Sequence, residues 1–241
     1  MNSADLSERT NSPAPSRREA LLCYVTDGGA VADLGSLKAQ IARAISVGVD
    51  WIQIRENTLA ARELFSLTST AVAAAGGNPG RRVRIFVNDR LDVAFAARAA
   101  GVHLKESSIS AAAVRAWRNR GALQRDFLVG ASCHSLEGAL AAERDGADYI
   151  FFGPVFATPS KQAFGPPQGI VRLAEIVRSV RIPVLAIGGI TLDNAGECVA
   201  VGAAGIAAIR MFQQAGDLVA PVAKLRAAMK GARTAKSAAK L

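Results

Sequence analysis

The feature that most constrains the fold is a strict alternation of short apolar segments with longer amphipathic stretches. The apolar segments are rich in β-forming residues and lie at 21–26, 51–55, 83–87, 102–104, 127–131, 148–152, 183–187 and 205–209. The amphipathic stretches have the periodicity of helices and are Leu34–Val47, Ala60–Ala75, Asp89–Ala100, Ser110–Arg120, Leu136–Arg144, Val171–Val180, Leu192–Val201 and Leu218–Met229. The pattern therefore predicts an α/β fold of eight strand–helix units.

Eight such units in unbroken alternation are typical of a TIM barrel, and we predict a single barrel over residues 20–229. In that fold the loops that follow the strands meet at one mouth. The mouth should gather Asp27, Arg55, Asn88, Lys105, Ser132, Gly153, Gly188 and Arg210. The alternative, an open doubly wound sheet, would normally carry G-x-G-x-x-G after its first strand. The segment YVTDGGA there has glycines without that spacing, which favours the barrel.

The 241 residues, half of them hydrophobic, suffice for one large domain. We expect 1–19 to be a disordered extension and 230–241 to be a basic tail that does not fold on its own. No apolar run approaches the ~18 residues of a membrane helix, and the N-terminus lacks a signal-peptide core. A cytoplasmic protein is expected. Cys23, Cys133 and Cys198 have neither metal-ligand nor disulfide spacing.

The formal net charge of +9 raises the question of a nucleic-acid partner. The Lys and Arg residues are spread through the predicted helices and concentrated at the two ends, without interleaved aromatic residues or a basic stripe. A positively charged mouth would instead attract small phosphorylated metabolites. We therefore expect phosphorylated small molecules, and neither nucleic acid nor membrane, as partners. The oligomeric state is left open, a homo-oligomer included.

Two loops in the second half of the chain have the composition of a phosphate site. FFGPVFATPSK at 151–161 and VLAIGGI at 184–190 are apolar, strand-like runs that end in glycine. Gly153, Gly188 and Gly189 would let the backbone approach an anion closely. Thr158, Ser160 and Lys161 add two hydroxyls and an ammonium.

The second strand ends in WIQIREN, residues 51–57. Because side chains alternate along a strand, Gln53 and Arg55 point the same way, and at the strand end that way can be into the mouth. The planar guanidinium of Arg55 would suit a diphosphate. The alternative is a surface arginine paired with Glu56 or Glu63.

The third strand ends at Asn88 and Asp89. Either residue could cap the next helix, since Asn and Asp are favoured at that position. Only one is needed for a cap, however. Asp89 beside a diphosphate would be a plausible Mg²⁺ ligand, because a hard cation takes carboxylate and phosphate oxygens together.

Taken in order, these motifs resemble the superfamily of thiamine phosphate synthases and thiazole tautomerases. The resemblance covers residues about 20–228. The motifs are Tyr24-Val-Thr-Asp27, Gln53-Ile-Arg55, Asn88-Asp89-Arg90 with Asp92, Gly101-Val-His-Leu104, Gly130-Ala-Ser132, Asp148-Tyr149, the run from Gly153 to Lys161, and Ile187-Gly-Gly-Ile190.

The resemblance implies an enzyme that joins hydroxymethylpyrimidine diphosphate to thiazole phosphate and releases diphosphate, with Mg²⁺ on the leaving group. It implies that Gln53, Arg55 and Asn88 hold the pyrimidine diphosphate, that Asp89 binds Mg²⁺, and that Ser132 meets the pyrimidine or its leaving group. It also implies a thiazole phosphate site of Thr158, Ser160, Gly188, Gly189, Ile209 and Arg210, with Lys161 on the diphosphate. If Mg²⁺, Arg55 and Lys161 neutralise the departing charge, the pyrimidine carbon can become a cation and no general base is needed.

The chain departs from the synthase pattern at three places. Lys105-Glu106-Ser107-Ser108 stands where the synthases usually have a Gly-Gln pair and then a second metal-binding aspartate, so Ser108 replaces that aspartate. Asn57 replaces a usual lysine and Arg210 a usual serine. Glu106 could reach the metal instead, and Arg210 could bind phosphate by its charge.

These departures also fit the thiazole tautomerases, which transfer a proton on the thiazole carboxylate phosphate without Mg²⁺. His134 would then be the acid/base, unless it only flanks a helix cap at Ser135. A third alternative is a barrel that binds a phosphorylated ligand without catalysis. His103, inside a short strand, is expected to be structural.

Overall fold

The computed structural model describes residues 19–30, 33–77, 83–158 and 166–238. Their strands close into one barrel in which every strand pairs in parallel with the next and the last pairs with the first. The strands are β1 Leu21–Val25, β2 Trp51–Ile54, β3 Arg84–Asn88, β4 Gly101–Leu104, β5 Leu128–Cys133, β6 Tyr149–Phe152, β7 Val184–Ile187 and β8 Gly205–Ala208. The prediction of a TIM barrel is confirmed.

The helices lie between successive strands and after the last one. They are α1 Leu34–Ser46, α2 Ala61–Gly76, α3 Leu91–Ala96, α4 Ala111–Asn119, α5 Leu136–Arg144, α6 Gly169–Ser179, α7 Ala195–Ala200, α8 Arg210–Gln213 and α9 Val219–Ala238, with a 3-10 turn at Gly28–Ala30. Side-chain oxygens of Asp33, Ser110 and Ser135 accept backbone N–H bonds at the starts of α1, α4 and α5. These bonds satisfy N–H groups that the first helical turn leaves unpaired.

Two apolar cores follow from the alternation of side chains along the strands. The inner one fills the barrel and is made of Cys23, Val25, Trp51, Phe86, Tyr149, Phe151, Leu185 and Ala207. The outer one lies between the strands and the surrounding helices and contains residues such as Ile52, Val102 and Leu225. Because the inner core is packed with aromatic rings, ligands have access to the barrel only at its mouth.

The start of the third helix differs from the expectation. Neither Asn88 nor Asp89 caps it: α3 begins after Arg90, whose side chain makes no cap hydrogen bond. Asp89 adopts a left-handed backbone with φ 63°, which an N-cap residue, normally extended, does not have. The interpretation of these residues as caps is therefore wrong, and both side chains are left for other contacts.

The last helix extends into the segment expected to be a basic tail that does not fold on its own. The last helix continues through Met229 to Ala238. A Cβ built on Gly196 in α7 would lie 3.9 Å from the Cβ of Ala232, so the two helices pack closely beyond Met229. The alanine-rich sequence of this segment has high helix propensity, which favours continuation of the helix. Residues 1–18 and 239–241, which belong to the predicted extension and tail, lie outside the described residues.

The three cysteines are buried and free. Burial, together with the nearby Glu106 carboxylate, raises the pKa of Cys133 to about 12, so this thiol stays protonated beside the mouth. Among the described helices, none is long and apolar enough to cross a membrane.

Candidate active site

A cavity of about 1260 Å³ opens at the carboxyl ends of the strands. Every residue predicted to converge on the mouth lines it: Asp27, Arg55, Asn88, Lys105, Ser132, Gly153, Gly188 and Arg210. Gln53, Thr158, Gly189, Ile209 and His134 line it as well. The expected convergence is therefore confirmed, and the individual roles of these residues remain predictions.

An amide pair forms part of the cavity wall between β2 and β3. Gln53 Nε2 donates a 2.9 Å hydrogen bond to Asn88 Oδ1, and both side chains are buried. Gln53 Oε1 is buried and has no hydrogen-bond partner among the described residues. A buried amide oxygen without a partner costs free energy, so this wall is suited to a ligand that brings an N–H donor.

The Arg55 guanidinium is held at the mouth by the loop after β1. Its Nη2 lies 3.2 Å from Asp27 Oδ2, and its Nε donates to the carbonyl of Thr26. Glu56 does not pair with Arg55 but accepts hydrogen bonds from Thr26 Oγ1 and, at 2.7 Å, from the Gly28 N–H. Glu63 bonds the backbone N–H of Ala60, its own helix start. The alternative of a surface arginine paired with Glu56 or Glu63 is therefore wrong.

Asp89 follows β3 and contacts the loop after β4, but it is not among the described residues that line the cavity. Its Oδ2 lies 2.8 Å from Lys105 Nζ, and its Oδ1 accepts a short hydrogen bond from Ser108 Oγ. Partial burial acts to raise the pKa of Asp89, but the hydrogen bonds from Lys105 and Ser108 and the charge of Lys105 outweigh burial and lower that pKa. Asp89 is therefore a carboxylate with a cation and a hydroxyl on its two oxygens.

The loops after β6 and β7 form a tight glycine-lined corner. Val155 N–H donates to the Ile187 carbonyl and Phe156 N–H to the Gly188 carbonyl, at 2.9 and 3.0 Å. Gly188 and Gly189 have φ values of 93° and 66°. Built Cβ atoms there would lie 2.6 Å from Pro154 Cα and from the Ala157 carbonyl oxygen. The corner therefore requires glycine at both positions.

Arg210 closes this corner from the end of β8. Its Nη2 donates a 2.8 Å hydrogen bond to Thr158 Oγ1, which brings a guanidinium beside the hydroxyl predicted to bind phosphate. Guanidinium, hydroxyl and exposed backbone of this kind suit a phosphate dianion. Ser160 and Lys161, predicted for the same loop, lie outside the described residues.

Comparison with known proteins shows the family to which the chain belongs. The sequence profile of a family described as thiamine monophosphate synthase matches residues 22–212. The chain belongs to this family. It is 44% identical over 173 residues to a putative thiamine-phosphate synthase of Geobacter sulfurreducens, which covers 72% of this chain and 78% of that one. It is 40% identical over 193 residues to the thiamine-phosphate synthase of Methanoculleus marisnigri, covering 80% and 88% of the two chains.

A solved structure shares the fold of this family member. The thiamine phosphate pyrophosphorylase of Pyrococcus furiosus superposes with a TM-score of 0.75 at 32% identity, over 88% of this chain and 96% of the other. The resemblance to thiamine phosphate synthases inferred from the motifs is confirmed.

The family member's departures from the usual synthase pattern can be located in the structure. Ser108, at the usual aspartate position, is in direct contact with Asp89, so the expected spatial pairing of these two positions is kept while one carboxylate is lost. Glu106, suggested as a replacement, lies beside the start of α5, where a Cβ on Gly138 would be 3.8 Å from its Oε1. The described contacts of Asp89 are with Lys105 and Ser108 and do not include Glu106.

His134 faces the cavity and is fixed by its backbone surroundings. Its Nδ1 donates to the carbonyl of Gly153, and the next residue, Ser135, caps α5 by accepting from the Gly138 N–H. The suggested flanking of a helix cap is therefore correct, and His134 also presents its ring to the cavity.

His103 is one of several polar residues of the cavity wall, with Thr191, Asp193, Gln213 and Gln214, that were not predicted to lie at the mouth. It is buried but lines the cavity, with Nε2 2.9 Å from Ser132 Oγ. Its neighbours Val102 and Leu104 belong to the outer core. Alternation along β4 therefore directs His103 inward, as it does Gln53 in β2. Applying that rule to the fourth strand would have found it.

Proposed function

We propose that this protein couples hydroxymethylpyrimidine diphosphate with thiazole phosphate to form thiamine phosphate and diphosphate. Membership of the thiamine monophosphate synthase family supports this reaction. The observation that carries the proposal is one cavity with cationic groups on two opposite sides. Arg55 and Lys105 lie on the β2–β4 side, and Arg210 lies beside the glycine corner of β6–β8.

The thiazole phosphate is assigned to the glycine corner. Arg210 and Thr158 would bind phosphate oxygens directly, and Gly188 and Gly189, with the backbone of Ile209 and Arg210, would let the anion approach main-chain N–H groups. Ser160 would contribute a further hydroxyl. Arg210 replaces a usual serine, so part of the hydroxyl contact becomes a charge-assisted one, which is roughly twice as strong as a neutral hydrogen bond.

The pyrimidine diphosphate is assigned to the side formed by β2, β3 and β5. The orphan Oε1 of Gln53 supports a ligand with an amino group, since an N–H donor there would satisfy the buried acceptor. Asn88 keeps the Gln53 amide in place by accepting from its Nε2, and Ser132 faces the same space. Arg55, already oriented by Asp27, would bind the diphosphate, with Lys161 as a second cation.

Asp89 and Ser108 fit one Mg²⁺ ion beside the cavity, which they do not line themselves but adjoin through their contacts with the cavity-lining Lys105. Asp89 and Ser108 provide a carboxylate and a hydroxyl in contact with each other, both oxygen donors of the type that Mg²⁺ prefers. Among the described residues there is no cluster of three or more His, Cys, Asp or Glu that could hold a metal. An ion here would therefore depend on diphosphate oxygens and water for its remaining ligands. When bound, Mg²⁺ would supply positive charge to the departing diphosphate.

The protein's own groups account for the rest of the chemistry. Arg55, Lys105 and Lys161 stabilise negative charge that grows on the leaving group as the carbon–oxygen bond breaks. The thiazole nitrogen is itself the nucleophile, so the protein aligns it with the pyrimidine carbon rather than removing a proton. The aromatic inner core beneath the cavity keeps water away from the cation from below.

Incubating the purified protein with both substrates and Mg²⁺ tests the proposal. We expect thiamine phosphate to form with Mg²⁺ and to stop forming with excess EDTA. Absence of product from folded protein that binds thiazole phosphate would contradict it. A parallel assay of proton exchange on thiazole carboxylate phosphate, with His134→Ala as the variant, would then test the tautomerase alternative.

A further inference from the structure

Three polar side chains form a hydrogen-bonded chain that runs from the closed interior of the barrel to the cavity. The hydroxyl of Tyr149 lies 3.3 Å from His103 Nδ1, and His103 Nε2 lies 2.9 Å from Ser132 Oγ. Tyr149 and His103 are each 1% exposed, whereas Ser132 is half-buried and lines the cavity. The reaction described above uses Ser132 but gives no role to the two residues behind it.

The register of the sheet produces this chain. His103 in β4 pairs with Gly130 in β5, and Gly130 pairs with Tyr149 in β6. A Cβ on Gly130 would lie 2.1 Å from Cζ of Tyr149. Only glycine therefore lets the tyrosine ring cross β5 and reach the histidine.

Aromatic neighbours hold both rings in place. Tyr149 contacts Trp51 and Phe86 with ring centroids 4.7 and 5.4 Å apart, and the His103 ring lies 4.2 Å from that of Phe151. Aromatic contacts at these distances are favourable and restrict ring motion in a packed core. The geometry of the chain is therefore preorganised before substrate binds.

The hydrogen bonds that each group can donate determine which nitrogen of His103 carries the proton. Among the described residues, the hydrogen-bond partner of the Tyr149 hydroxyl is His103 Nδ1. If Nδ1 carried the proton, the phenol O–H would have no acceptor among the described residues of the interior, and a buried donor without an acceptor is destabilising. If the phenol donates to Nδ1, the imidazole carries its proton on Nε2 and donates it to Ser132 Oγ. The Tyr149 O–H and the His103 Nε2–H then each have an acceptor.

We propose that His103 is a positioning residue, held by Tyr149 as the Nε2–H tautomer, that makes the Ser132 hydroxyl a hydrogen-bond donor to the pyrimidine diphosphate. With one lone pair of Oγ occupied by the imidazole N–H, the serine O–H points into the cavity. It selects an acceptor atom of the substrate, a ring nitrogen or a diphosphate oxygen. The identity of the substrate in this inference rests on the proposed function, whereas the tautomer of His103 follows from the hydrogen bonds alone.

The role is positioning and not acid/base catalysis. Burial lowers the pKa of His103 to about 3 and raises the pKa of Tyr149 well above its ordinary value. Both groups are therefore neutral near neutral pH, which favours a positioning role over proton transfer.

Nuclear magnetic resonance of ¹⁵N-labelled imidazoles tests the tautomer directly. We expect the long-range ¹H–¹⁵N spectrum of the wild-type protein to show His103 as the Nε2–H form. Tyr149→Phe keeps the ring and should shift His103 toward a mixture of tautomers. Tyr24→Phe is the matched control, because it also removes a buried tyrosine hydroxyl, one that donates to Gln40, and should leave the His103 signals unchanged. An Nδ1–H form or a protonated imidazole in the wild-type protein would overturn the inference.

Kinetics of the coupling reaction test the consequence for Ser132. We expect Tyr149→Phe to lower kcat by about threefold to tenfold, with a smaller change in KM for thiazole phosphate. In a Ser132→Ala background the same change should alter kcat by less than about twofold, because the group that it positions is gone. Equal effects in both backgrounds would overturn the inference. If the wild-type protein shows the Nε2–H form but no coupling, the proposed function fails while the tautomer assignment stands.

Discussion

Asp89 is the residue on which the proposed Mg²⁺ site depends. Its left-handed backbone turns the side chain toward the loop after β4, where Lys105 and Ser108 occupy its two oxygens. Lys105 already neutralises part of its charge, and Ser108 adds an oxygen without charge. The affinity of a carboxylate site for a cation depends on the number of charged ligands. We therefore expect this site to bind Mg²⁺ more weakly than a site built from two carboxylates.

Ser108→Asp should strengthen that site. A second carboxylate at this position adds one negative charge beside Asp89 and should lower the Mg²⁺ concentration at half-maximal rate by about tenfold. The measurement is the initial rate of thiamine phosphate formation against free Mg²⁺. Ser46→Asp adds the same charge at the exposed end of α1, away from Asp89, and should leave the Mg²⁺ dependence unchanged. Identical Mg²⁺ dependence in the wild type and Ser108→Asp would contradict a metal site at Asp89.

His103 should make the protein less stable in weak acid. Its pKa is about 3 in the folded state and about 6.5 in an unfolded chain. Between these values the unfolded chain binds a proton that the folded one does not, so the free energy of unfolding falls as the pH falls below about 6.5. The slope is at most about 1.4 kcal/mol per pH unit. Glu56 opposes this at the acid end, since burial raises its pKa above 4.5.

Urea unfolding between pH 7.5 and 5 measures this contribution. In His103→Gln the decline of the free energy of unfolding from pH 6.5 to pH 5 should be smaller than in the wild type, because no imidazole has to stay neutral in the interior. An equally steep decline in the variant would show that other groups cause it.

Among the secondary-structure elements, two aspartates that directly precede strands connect neighbouring elements at the end of the barrel opposite the cavity. Asp50 precedes β2, accepts from the Leu22 N–H of β1 and pairs with Arg226 of α9. Asp148 precedes β6, accepts from the Val129 N–H of β5 and pairs with Arg118 of α4. Both follow the pattern Gly-x-Asp-aromatic-Ile, at 48–52 and 146–150. Each aspartate therefore joins two strands and a helix through one carboxylate.

Asp148→Ala should lower the free energy of unfolding by about 3 kcal/mol, since it leaves the largely buried Arg118 without its carboxylate. Because the change lies at the end of the barrel away from the cavity, kcat and KM per folded molecule should stay within about twofold. Glu175→Ala breaks the more exposed Arg172–Glu175 pair within α6 and should cost about 0.5 kcal/mol or less. Chemical denaturation measures both. Equal losses in the two variants would contradict the bracing role of Asp148.

For the whole molecule, the fold could be predicted because the eight short apolar runs, each followed by an amphipathic stretch, indicate buried parallel strands with helices between them. All eight predicted strands exist, and each of the eight residues predicted to converge on the mouth lines the cavity, since barrel topology sends every strand end to one face. The extent of α9 was not readable, because its last turns are fixed by packing of Ala232 against α7, a contact distant in sequence. Alanine and lysine composition describes an unfolded tail and a surface helix equally well.

Residues of the site could be predicted from the sequence where strand alternation or a strand end determines the direction of the side chain. Arg55 and Asn88 were found in this way. The contact of Asp89 with Ser108 depends on a left-handed backbone, and that of His103 with Tyr149 on strand register across Gly130. Neither is encoded in local sequence. Local patterns therefore locate the mouth, whereas the hydrogen bonds that orient its groups require the three-dimensional structure.

The proposed function requires the two substrates to bind on opposite sides of one cavity. Two-substrate steady-state kinetics of Arg55→Ala and Arg210→Ala test this division. We predict that Arg55→Ala raises the KM for the pyrimidine diphosphate by at least about tenfold and leaves the KM for thiazole phosphate within about twofold. Arg210→Ala should show the reverse. Variants that both impair the same substrate, or that leave both KM values unchanged, would contradict the division of the cavity.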